Sequence, residues 1–200
     1  PEQHKAESTR FKARFPSIEE IYREIETKEH EKKSELQTAL EKSKDLQKEF
    51  ENKRRELLKK ENLQWEDKKQ LEQILQKQEN LSEQVQNIAD NYQELINKMQ
   101  ANETLSPETL QKMQKIQELM QEINNEELQE AMRKFENALQ NVKTEDLKKA
   151  LENFKFSMED FAKKIDQTLA LLESIKKEQA LQKALQISEE MEKMQKTLSE

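Results

Sequence analysis

Between residues 71 and 99 the apolar side chains recur at alternating intervals of three and four: Leu71, Ile74, Leu81, Val85, Ile88, Tyr92, Leu95 and Met99, with Gln78 the one polar member of the frame. That spacing lays a stripe along one side of an α-helix, and about four heptads of it define a coiled-coil seam. Each buried side chain of this kind contributes roughly 1.5–3 kcal/mol. A lone helix has nothing to bury it against, so the seam requires a second helix. The preceding stretch supplies a candidate. Ile18, Tyr22, Ile25, Leu36, Ala39, Leu46, Phe50 and Leu57 fall on one heptad frame, interrupted by Glu29, Lys32 and Ser43. The spacing predicts a long helix over about 18–60. Its weak stretch, TKEHEKKSE at 27–35, either projects beyond the neighbouring helix or has a solvated seam.

Composition supports helix over both globule and disorder. Charged residues make up 38% of the 200 residues and the AVILMFWYC set only 32%, enough for a narrow seam but not a thick core. Disordered chains are also poor in apolar residues. They are usually rich in Gly and Pro, however, and here Gly is absent and Pro occurs only at 1, 16 and 107. Glu, Lys, Gln and Leu are abundant instead, and they lose little rotamer freedom in a helix. The fold class expected is all-α: an elongated antiparallel helical hairpin or coiled coil, then shorter helices and a long C-terminal helix. A parallel dimer zipped through residues 71–99 is the competing arrangement.

Local signals place the breaks. Residues 1–15 show no sustained period and read as a flexible, linker-like segment in which Phe11 and Phe15 could pack on a neighbour. Pro16 followed by Ser17-Ile18-Glu19-Glu20 is a capping box that opens the first helix. A reversal is expected within 59–69, with Asn62 as a cap and Trp65 closing the end of the seam. Ser106-Pro107, with Leu105 stapled to Leu110, marks a second start. Leu110, Met113, Ile116, Met120 and Ile123 then share one helix face.

A quasi-repeat follows. Asn125-Glu126-Glu127-Leu128 with Ala131, Met132 and Phe135 matches Thr144-Glu145-Asp146-Leu147 with Ala150, Leu151 and Phe154, nineteen residues on. Each copy opens with a cap residue and two acids, which suit a helix N-terminus. Helices are expected at 126–141 and from 145 onward, with Phe135 and Phe154 sharing a small core in a compact cap. The last helix continues through Phe161, Ile165, Leu169, Leu172 and Ile175. Its phase shifts near Glu178 before Leu181, Ala184, Met191 and Leu198 extend it. Three regions result: 1–15 linker-like, 16–104 hairpin, and 105–200 multi-helix.

Few catalytic chemistries fit. There is no cysteine for thiolate chemistry and no glycine for a phosphate-cradling loop. His30 lies among Glu26, Glu29 and Glu31, but neither His4 nor His30 has Glu three residues before it, as inward-facing carboxylate–histidine metal pairs do. No catalytic residue, metal site or cofactor is expected. The net charge of −7 comes from 42 acids interleaved with 35 bases, a pattern that disfavours nucleic acid. The basic run KRRELLKK at 53–60 is neutralised by Glu56 and its acidic neighbours. No run of about 20 apolar residues is present to span a bilayer. Leu71, Ile74, Leu81, Val85, Ile88, Tyr92, Leu95, Phe135, Phe154 and Phe161 are the expected packing and interaction seam, toward protein partners or a second copy. The Met and Phe stripe of 113–161 is read as core first and docking groove second.

PSIEEIYREIE at 16–26, LQWEDKKQLEQIL at 63–75, LSPETLQKMQKIQELMQEI at 105–123 and LQEAMRKF from 128 occur in an order that resembles a family of large bacterial proteins classed as a domain of unknown function. The resemblance covers most of residues 15–200. It implies a parent anchored by N-terminal transmembrane helices, with this segment, which begins at Pro1, standing clear of the membrane and outside the cytoplasm. It supplies no catalytic residues. The expected function is a non-catalytic structural or protein-interaction module; the alternative is a periplasmic holdase with helical tentacles.

Overall fold

The computed structural model describes residues 18–60, 64–101, 107–141 and 144–198. Among these residues the regular structure is five α-helices: α1 (Ile18–Leu57), α2 (Trp65–Ala101), α3 (Pro107–Ile123), α4 (Glu126–Asn141) and α5 (Thr144–Leu198). The all-α expectation holds, and helices begin at or within one residue of the positions read from the repeat and from Pro107. Phe11, Phe15, Ser17, Asn62, Leu105 and Ser106 lie outside the described residues.

Cross-helix ion pairs fix the directions. Lys77 meets Glu49 at 2.7 Å and Lys98 meets Glu24 at 2.5 Å, so α2 runs antiparallel to α1 along nearly its whole length. The expected hairpin is present, and at 40 residues α1 is ~60 Å long. The hairpin is only half of the assembly. Lys33 pairs with Glu173, Arg54 with Glu152, and the Gln47 side-chain amide donates to the Met158 carbonyl at 2.7 Å. The C-terminal helix therefore lies back along α1. Lys112 pairs with Glu178 and Lys164 donates to the Glu122 carbonyl, which sets α3 antiparallel to α5. Helices α3 and α4 together make the remaining rod, broken at Asn124–Asn125. The result is an up-down-up-down bundle whose third member is two helices end to end.

This arrangement explains how so polar a chain builds a core. Each helix contributes one stripe, and four stripes face inward together. The core has two clusters. One joins Leu36, Ile88, Tyr92, Met113, Ile116, Phe161 and Ile165; the other joins Phe50, Leu57, Leu71, Ile74, Phe135, Phe154 and Met158. Phe135 and Phe154 stack at 4.7 Å as the repeat predicts, but Phe50 of α1 meets both edge-on, at 6.0 and 5.1 Å. The repeat is therefore not a cap with its own core. It closes the turn end of the hairpin.

The polar stretch of α1 also finds its place. The Lys98–Glu24 pair shows that α2 flanks it, so 27–35 does not project beyond its neighbour. Glu29, Lys32 and Lys33 are half-buried, so the seam there is polar and only partly solvated.

Candidate interaction surfaces

Every residue of the expected seam is inside the bundle. Leu71, Ile74, Leu81, Val85, Ile88, Tyr92, Leu95, Phe135, Phe154 and Phe161 are all at most 5% exposed. They are packed by the chain's own helices, so a partner must use other residues. The Met and Phe stripe is core in the same way, with Met113, Met120 and Met158 buried.

Among the described residues, most exposed large apolar side chains lie toward two ends of the bundle. At the distal end, Ile175 is the last buried residue of α5 among the described residues, three residues before the expected shift of phase. Leu181, Leu185 and Met191 then stand 56–63% exposed. With Ala184 and Ser188 they share one helix face, which has the spacing of an amphipathic stripe. Leu181 and Met191 were on the frame read from the sequence; Leu185 was not.

At the turn end, Trp65 is 69% exposed and Leu58 46%. Trp65 does not close the seam as expected. It is the first residue of α2, and its ring stands 5.2 Å from the Lys69 ammonium instead. The seam's end is closed by a polar lock. Asp67 is buried, takes hydrogen bonds from Lys53 at 2.6 Å and Lys60 at 2.9 Å, and accepts the Gln64 backbone N–H at 3.1 Å. The last contact is half of a capping box, which makes Gln64 the N-cap. Burial pushes the Asp67 carboxyl up, but the two ammonium groups and the Gln64 amide outweigh it and hold the pKa at about 2.

Most of the basic run at 53–60 is engaged in the same way. Arg54 binds Glu51 and Glu152, Arg55 binds Glu51, and Lys60 binds Glu56 as well as Asp67. The Arg54 hydrogen bond is the main reason the Glu51 carboxyl falls to about 2; burial opposes it and Arg55 assists. Lys53, Arg54, Arg55 and Lys60 are thus engaged in ion pairs within the chain.

A shallow groove of about 600 Å³ lies between α1 and α5, lined by Lys44, Lys48, Asn52, Arg55, Lys155 and Glu159. Phe156 beside it is 61% exposed, with the Lys155 ammonium 5.5 Å from its ring. The lining is charged on both sides and offers no convergent set of groups for one ligand. His30 is exposed on α1. Among the described residues no three His, Asp or Glu side chains gather in a metal-holding group, and no helix is long and apolar enough to cross a membrane.

Comparison with known proteins adds no relative: no family model, no curated protein and no solved structure matches the chain.

Proposed function

We propose that this chain is a non-catalytic structural and protein-interaction module, a helical spacer within a larger, membrane-tethered bacterial protein. The observation that carries the reading is the division of labour along α5. Up to Ile175 its stripe is buried in the bundle, and beyond Glu178 the same helix presents Leu181, Leu185 and Met191 to solvent. A rigid bundle that ends in an amphipathic helix suits helix-in-groove or helix-on-helix recognition. The tether and the bacterial parent rest on the order of the four sequence segments that resemble the domain-of-unknown-function family.

Site-specific photo-crosslinking in the full-length protein tests the docking role. A crosslinker at Leu185 should give discrete protein adducts, while one at Glu83, exposed on α2, should not. Equal yields at both positions, or none at either, would count against docking through α5. The holdase reading draws on the same exposed residues. It predicts a continuum of adducts with unfolded clients rather than discrete bands, together with suppression of client aggregation at stoichiometric amounts.

A further inference from the structure

One level of the bundle is built from the wrong kind of side chain. Ser43 and Gln78 are wholly buried and Ser82 is 5% exposed. The Ser43 and Ser82 hydroxyl oxygens, and both the nitrogen and the oxygen of the Gln78 amide, are buried without a hydrogen-bond partner among the described residues. Gln78 and Ser82 are one turn apart on α2. Ser43 stands opposite them on α1, because the Lys77–Glu49 and Lys98–Glu24 pairs bracket that level on both helices.

The other two rods remain apolar inside at this height, where Ile123 of α3 and Phe161 and Ile165 of α5 are buried. Their polar contacts lie on the surface: Lys44, next to Ser43, faces Asp166 of α5, and Lys164 of α5 donates to the Glu122 carbonyl just before the α3–α4 break. This level is also where the core divides. Along α1 the two apolar clusters separate between Leu40 and Leu46, and along α2 between Ile74 and Leu81.

Leaving a buried amide or hydroxyl unpaired costs roughly 1–3 kcal/mol for each group. Folded proteins rarely tolerate such a cluster; buried polar groups bind one another or ordered water. From this we propose that Ser43, Gln78 and Ser82 form an internal water-binding site at mid-height of the bundle. The chemistry identifies the ligand. The groups are neutral, they offer both donors and acceptors, and no charged side chain joins them to select an ion. A water molecule needs two to four such partners, and two hydroxyls with one amide meet that requirement.

Water oxygen-17 relaxation dispersion on the whole chain tests the site. It detects only intact water molecules held for long times, so exchange of serine hydroxyl protons does not contribute. The wild-type chain should show a dispersion whose amplitude falls by the equivalent of about one water or more in Gln78→Leu. Gln78→Met, closer in length and flexibility, should show the same fall, and helical circular dichroism would establish that each variant is folded. An unchanged amplitude in the folded variants, or no dispersion in the wild type, would overturn the proposal and mean that the three side chains satisfy one another directly.

Discussion

Glu29 occupies a seam position that a leucine would fill in a simple coiled coil. It is half-buried on α1, with Glu26 on its own helix, Tyr92 of α2 and Lys176 of α5 as its electrostatic neighbours. Burial is the main force raising its pKa from the usual 4.5 to about 7; Glu26 adds to it and Lys176 opposes it. Tyr92, whose hydroxyl has no partner among the described residues, is raised by burial and by the charge of Glu29. The sign for stability follows from proton binding. Below about pH 4.5 both folded and unfolded chains hold the proton, and the site costs nothing. Between about 4.5 and 7 the unfolded chain ionises first, so stability falls as pH rises, and above 7 the full penalty remains. Glu29→Gln should therefore be more stable than the wild type at pH 8, by on the order of 2 kcal/mol, with the difference fading by pH 4.5. Urea denaturation of both proteins across that range checks this. Taking the difference cancels the opposite trend from carboxyls held low, such as Glu51 and Asp67. A difference that does not vary with pH would assign the effect to packing rather than charge.

Helix ends in this chain are decided by a few side chains each. The Asn125 side-chain oxygen accepts the Leu128 backbone N–H at 2.9 Å, which starts α4 immediately after α3 has ended. Asn125→Ala should cost about 1 kcal/mol, and amide exchange at Leu128 should quicken more than at Phe135 further along the helix. Unchanged exchange at Leu128 would show that the cap contributes nothing. This boundary was legible in the sequence because a cap residue and two acids are local chemistry. The start of α2 was not legible in the same way. Its lock joins Asp67 to Lys53 fourteen residues earlier, and no local pattern announces that contact. Trp65 lies off the seam for a related reason: apolar character next to a seam says nothing about which way the first residue of a helix points. Periodicity showed that residues 71–99 need a neighbour. It could not show that α5 would turn back along α1, because a stripe records that a face is buried and not what buries it. The exposure of Leu58, Leu185 and Phe156 depends on those same pairings, and the sequence frame passed over all three.

At the scale of the whole molecule, the natural division runs across the bundle rather than between the hairpin and the helices that follow it. The apolar cluster at the turn end takes residues from α1, α2, α4 and α5, and the cluster at the open end takes residues from all five helices. Met132 packs against both. The polar level of Ser43, Gln78 and Ser82 lies between them on α1 and α2, while on α5 the buried apolar residues continue from Met158 to Phe161. Bundles with such a joint can open in parts, each with its own free energy. Phe135 is the place to probe this, since it is fully buried and touches both Phe50 and Phe154. Phe135→Ala removes a ring from a packed site and should cost roughly 3–5 kcal/mol. Had the repeat been a separate cap, the loss would fall on residues 107–165 and spare α2. The observed packing predicts another pattern. In native-state hydrogen exchange with low denaturant, protection should fall in 46–57, 71–75, 135–141 and 147–158. It should hold better in 81–99, 113–123 and 161–175. The two ends of the single helix α2 would then respond differently, a result that no hairpin-and-cap division allows. Equal losses along α2 would show that the bundle opens as one unit and that the polar level is no joint.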